Sequence, residues 1–105
     1  NDGRLLENVA FLALRRRCKE IFYFREKGEC DFVIKEGIKI TEAIQVCFEL
    51  NDENKKREVE GLMEALEKFN LKEGVIVTFN ETYEFKVEGK KIRVIPAWKW
   101  LLKEG

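Results

Sequence analysis

From Gly3 to about Lys19 the apolar residues Leu5, Leu6, Val9, Ala10, Phe11, Leu12, Ala13 and Leu14 crowd nearly every side of a helical wheel. That pattern predicts a helix buried on more than one side. Arg15, Arg16 and Arg17 close it with a basic last turn, which complements the negative end of the helix dipole. Glu7, set inside the apolar segment, either points to solvent or belongs to a site. The pattern then changes period. Ile21 to Phe24 is a short β-branched and aromatic run, Arg25-Glu26-Lys27-Gly28 is a charged turn, and Glu29 to about Lys35 returns as a second strand. After Glu36-Gly37, a third strand is predicted from Ile38 to about Glu49. Its two faces are Ile40, Glu42, Ile44, Val46 and Phe48 on one side and Thr41, Ala43, Gln45 and Cys47 on the other. Both faces are mainly small or apolar, the signature of a central strand covered from both sides.

Asn51-Asp52-Glu53 supplies helix-capping chemistry, and Val59, Leu62, Met63, Leu66 and Phe69 recur at helical spacing opposite Lys56, Glu60, Glu64 and Glu67. This one-faced helix ends near Asn70. Val75 to Phe79 is continuously apolar and reads as a buried strand, so strand, helix and strand imply a parallel crossover. Tyr83, Phe85 and Val87, then Ile92 and Val94 across the Glu88-Gly89-Lys90 turn, form a second hairpin with one wet face. Pro96 stops it and opens a last helix through Leu102. The predicted order is α-β-β-β-α-β-β-β-α, an α/β domain with a mixed sheet flanked by helices.

Composition narrows the picture. With 105 residues the chain is a single domain, 1–105, and 45% hydrophobic residues weigh against disorder although 38% are charged. Lys plus Arg (20) balance Asp plus Glu (20), and the balance holds in each half, 9 against 9 through residue 50 and 11 against 11 beyond it. A net basic nucleic-acid binder is therefore disfavoured, and a near-zero net charge eases self-association. Cys18, Cys30 and Cys47 contain no Cys-x-x-Cys pair and there is no histidine, which disfavours zinc and removes His-based nucleophile pairs. Two of the cysteines fall in predicted buried strands, where cysteine acts as a small hydrophobe, and the compartment is expected to be reducing and cytoplasmic. No apolar run reaches membrane-spanning length, so no membrane partner is expected. The chain opens on Asn1-Asp2-Gly3-Arg4 without Met, and it is expected to have been cut from a longer polypeptide.

Candidate chemistry concentrates in Gly28-Glu29-Cys30-Asp31-Phe32-Val33-Ile34 and Ile40 to Phe48. If these strands pair, Asp31 and Gln45 or Glu42 are polar groups fixed in an apolar sheet, a costly arrangement unless a metal, a proton or a hydrogen-bond partner compensates. With no Gly-rich phosphate loop there is no ATP site within these residues. What survives is a carboxylate site able to hold Mg²⁺ through oxygen.

A helix carrying Glu7, a hairpin with Asp31 in Glu29-Cys30-Asp31-Phe32-Val33, and a strand with Ile44-Gln45-Val46-Cys47 resemble the PD-(D/E)XK nuclease superfamily. Lys56-Arg57-Glu58-Val59, Gly74-Val75-Ile76-Val77-Thr78 and Ile95-Pro96-Ala97-Trp98-Lys99-Trp100-Leu101-Leu102 extend the resemblance over the whole chain. The closer likeness is to the C-terminal domain of archaeal and bacterial AAA-type P-loop ATPases. The resemblance implies a restriction-endonuclease-like three-layer core attached to an ATPase. In active members a helix Glu, an Asp, and a second acid two residues before a Lys gather around Mg²⁺. Glu7 matches the helix acid, Asp31 the motif Asp, Gln45 the second acid and Cys47 the Lys. The implied catalytic set is Glu7, Asp31 and Gln45, with Asp31 and Gln45 on the metal. Gln45 brings no charge and Cys47 no ammonium, and the alternative register at Glu42 puts Ile44 where Lys belongs. Lys39 lies too far back along the strand to serve. Lys55, Lys56 or Arg57 could reach the site from the second helix and are the candidate nucleic-acid contacts.

Three readings follow. The domain is an accessory module with a degenerate site that binds DNA or a protein partner, including the ATPase portion of its own chain. Alternatively it is a Mg²⁺-dependent nuclease with a variant Glu-Asp-Gln site that hydrolyses phosphodiesters. In the third reading it is a protein-interaction module, pairing with a partner or a second copy through Trp98, Trp100 and the aromatic hairpin. Against this stands the simpler expectation that both tryptophans close the core.

Overall fold

A computed structural model describes residues 1–17 and 20–104; Cys18 lies outside them. The elements run α1 (Asp2–Arg17), β1 (Glu20–Arg25), β2 (Glu29–Glu36), β3 (Lys39–Val46), α2 (Lys55–Lys68), β4 (Glu73–Thr78), β5 (Tyr83–Val87), β6 (Lys90–Pro96) and α3 (Ala97–Glu104). This is the order that the hydrophobic pattern predicts. The strands form one mixed sheet in the order β1-β2-β3-β4-β6-β5. The β1–β2, β2–β3 and β5–β6 pairs are antiparallel, and β3–β4 and β4–β6 are parallel. Two of the three hairpin turns use backbone that glycine tolerates best: Gly37 has φ 65°, and Glu88 and Gly89 have φ 48° and 82°.

Two cores lie on opposite faces of the sheet, which makes the domain three-layered. On one face Leu62, Met63, Ala65 and Leu66 of α2 pack on Cys30, Val33, Ala43, Ile76, Ile92 and Val94. On the other, Ala10, Ala13 and Leu14 of α1 and Ala97 and Trp100 of α3 pack on Phe32, Ile34, Ile44, Val46 and Val77. Among the described residues no helix is long and apolar enough to cross a membrane.

Four expectations change. Helix α1 is buried on one side only, through Ala10, Ala13 and Leu14, while Leu5, Val9, Phe11 and Leu12 remain exposed. The sheet beneath it is wide enough to take a single helical face, and α3 occupies the space beside it. Strand β3 ends at Val46 rather than near Glu49, although Cys47 still donates its N–H to Val77 O at 3.0 Å. Ile40 packs with the α2 core instead of sharing a face with Ile44. The cause is a bulge: Ile34 pairs with Glu42 while the next residue, Lys35, pairs with Ile40, so one extra β3 residue reverses the alternation. The tryptophans separate, with Trp100 closing the core and Trp98 exposed.

Candidate functional site

A second bulge places Asp31. Phe22 pairs with Val33 and Phe24 with Cys30, so β2 spends three steps where β1 spends two, and the extra residue falls in the Asp31–Phe32 stretch. Bulges of this kind re-aim one side chain and loosen the ladder locally. The β2–β3 ladder accordingly starts at the Phe32–Ile44 pair. On the open side of that pair, side chains replace the missing backbone bonds. The Asp31 N–H donates to Gln45 Oε1 at 2.9 Å, and the Val46 N–H donates to Asp31 Oδ2 at 2.8 Å.

Gln45 also ties in the helix. Its amide nitrogen donates to Glu29 O at 2.7 Å on β2 and to Glu58 O at 2.9 Å on α2. At 2% exposure the side chain is buried, and both of its hydrogens and its oxygen are engaged by the backbone. The helix can come this close because Gly61 faces the start of β2. A Cβ there would lie 2.0 Å from Glu29 O and 3.0 Å from Gln45 Nε2. Gly28, whose own Cβ would meet Gly61 Cα at 3.1 Å, continues the contact, and its N–H donates to Glu64 Oε1 at 2.8 Å. The polar residues in the apolar sheet are thus compensated by hydrogen bonds, one of the three remedies that their burial demands.

Around this clamp stands a group of acids. Burial pushes the Asp31 carboxyl up to about 7, partly opposed by the Val46 N–H, and the charges of Glu7, Glu58 and Glu29 push in the same direction as burial. Glu58 is also pushed upward, first by burial, while its bond to Arg57 and the guanidinium charge draw it back. The Arg57–Glu58 contact is 3.3 Å, with the Glu58 side chain only 14% exposed. Glu29 accepts a hydrogen bond from the Tyr23 hydroxyl. Glu7 is half-buried on α1, and it acts electrostatically on both Asp31 and Glu58. Asp31 on β2 therefore senses acids of both α1 and α2, although the two helices lie on opposite faces of the sheet. Burial also raises the thiols of Cys30 and Cys47 to about 12, so both stay protonated near neutral pH.

Of the residues singled out from the sequence, Asp31 and Gln45 are brought together and Glu7 stands near them. Glu42 belongs elsewhere: it pairs with Arg17 at 2.9 Å on the α1 face. Lys55 holds its ammonium 4.6 Å from the Phe85 ring centre and 5.8 Å from that of Tyr83. Arg57 is taken by Glu58. A groove of about 720 Å³ beside Lys56 and Arg57 is lined by Glu53, Glu60, Glu64 and Glu67 as well, a poor track for a phosphate backbone. Glu58 itself was not among the candidates. Its spacing one turn after Lys55 carried no signal, because only the approach of α2 at Gly61 puts it beside Asp31.

Gln45 departs from the Mg²⁺ set that the sequence resemblance implies, because it brings no charge to the second-acid position. The Gln45 amide is engaged by three backbone groups. Cys47, buried and protonated, supplies no cation.

No family model matches the chain. It is similar to the uncharacterized protein MJ1544 of Methanocaldococcus jannaschii, with 43% identity over an alignment of 116 positions that takes in 97% of this chain. The chain spans 25% of that relative's length.

Proposed function

We propose that this domain is a nuclease-fold accessory module of a P-loop ATPase whose Asp31–Gln45 position has become structural, and that it works by binding rather than by cutting phosphodiesters. The observation that carries this reading is the Gln45 amide, which occupies the second-acid position of the resemblance and bonds two strands and a helix. The mixed three-layer fold agrees with it. The relative, about four times as long as the stretch it shares with this chain, has room for an ATPase portion. Between the two kinds of partner, the acid-rich groove beside Lys56 and the engaged state of Lys55 and Arg57 favour a protein over DNA.

The test is incubation of the protein with supercoiled and linear DNA in Mg²⁺ or Mn²⁺, beside Asp31→Ala and Glu58→Ala. The expected result is no cleavage above the variants. Cleavage by the parent that both substitutions abolish would overturn the proposal and favour a second reading, an active nuclease in which Glu58 rather than Gln45 joins Glu7 and Asp31. The observation favouring that alternative is that the charges of Glu7 and Glu58 act on Asp31 and that of Glu7 on Glu58. Retardation of duplex DNA that falls steeply with salt and is lost in Lys56→Glu would make DNA the partner.

A further inference from the structure

The exposed face of α1 has an internal symmetry. Leu5, Val9 and Leu12 follow one another at four and three residues, the spacing of a single helical stripe, and all three are exposed, at 64%, 37% and 60%. That stripe lies opposite Ala10 and Leu14, which bind the sheet. On the helical wheel Asp2 and Arg16 fall beside the same stripe, each seven residues from Val9. An acid at one end and a base at the other, equidistant from a central apolar residue, is the pattern that an antiparallel copy of the same helix matches. Rotation by 180° about Val9 brings Asp2 against Arg16 twice, Val9 against itself, and Leu5 to within one residue, about 1.5 Å along the axis, of facing Leu12 twice.

We propose that α1 is a homodimer interface, in which a second copy of this chain packs its own α1 antiparallel across the Leu5–Val9–Leu12 stripe on a two-fold axis at Val9. Such an interface is isologous and closes after two copies. Charge complementarity selects the second copy as occupant, because the sequence of one face supplies both halves of each ion pair. The chain's zero net charge adds no repulsion between copies. Beside the stripe, Leu6 of α1 and Trp98 and Leu101 of α3 line one apolar groove of about 430 Å³ with Phe79. This apolar area continues the surface available to the partner helix. The inference uses nothing of the Asp31 site and does not depend on the nuclease-fold reading.

Sedimentation equilibrium of the protein tests it. The parent should sediment at twice the chain mass. Val9→Glu, which sets two like charges face to face on the axis at an exposed position, should raise the dissociation constant at least tenfold with an unchanged circular dichroism spectrum. Asp2→Arg and Arg16→Asp should each weaken the dimer, and the double swap should restore it. A monomeric parent, which would leave the stripe to some other partner, overturns the proposal. So does a dimer indifferent to Val9→Glu, or a double swap no tighter than the single ones.

Discussion

Replacing Gln45 by glutamate separates a structural amide from a lost catalytic acid, because the two roles predict opposite outcomes. In the fold the amide nitrogen donates to Glu29 O at 2.7 Å and to Glu58 O at 2.9 Å. An ionised carboxylate in its place has no hydrogen to give. Two bonds, each contributing about 0.5–1.5 kcal/mol net, are lost, and two buried carbonyls are left facing a charge at about 1–3 kcal/mol each. The bond from the Asp31 N–H to Oε1 can persist. The expected destabilisation of Gln45→Glu is at least about 3 kcal/mol, or a fall in Tm of about 12 °C for a domain of this size. The pH dependence has a definite sign. Burial raises the new carboxyl's folded pKa above its unfolded value, so stability is present at low pH, where the protonated group donates one hydrogen, and is lost as pH rises. Thermal and urea melts on both sides of neutrality, with and without millimolar Mg²⁺, measure this. A variant as stable as the parent at alkaline pH, or one that Mg²⁺ restores to parental stability, would refute the clamp and return Gln45 to the role of an acid's replacement in a metal site.

Asp31→Asn should flatten the acid limb of the stability curve. Between the ordinary 3.8 and the folded value of about 7 the unfolded chain releases a proton that the folded one keeps, so the parent loses stability with rising pH, on the order of 4 kcal/mol, and then levels off. The asparagine oxygen can still accept from Val46, and its variant should melt above the parent at alkaline pH; parallel curves would contradict this account. Gly61→Ala forces a Cβ to within 2.0 Å of Glu29 O; it should cost about 3 kcal/mol and speed hydrogen exchange at the Asp31 and Val46 amides, whereas unchanged exchange would show that α2 does not secure the clamp. Cys30 and Cys47, held protonated with pKa values near 12, should alkylate slowly in the folded protein near neutral pH and rapidly once urea unfolds it, as site-resolved mass spectrometry would read; fast native labelling of either would contradict their burial.

Sequence periodicity alone determined the element order, the two hairpins, the parallel crossover and the one-faced helix α2, because each rests on local spacing of apolar residues and on turn chemistry at Arg25-Glu26-Lys27-Gly28 and Glu88-Gly89-Lys90. It also marked Asp31 and Gln45, since isolated polar residues in buried strands demand compensation wherever they stand. Which compensation they receive was a tertiary matter. The bulge beside Asp31 and the bulge that turns Ile40 over arise from pairing between strands, and no single strand's alternation records them. The place of Glu58 depends on how closely α2 approaches β2, which the absence of a side chain at Gly61 permits. Helix α1 shows the converse. Its apolar residues predict burial all round, but a sheet offers a helix only one face, and the remainder is left as an exposed stripe. Local physics thus named the groups that needed partners, and the packing of sheet, α1 and α2 chose backbone hydrogen bonds for Gln45 and Asp31 and solvent for Leu5, Val9 and Leu12.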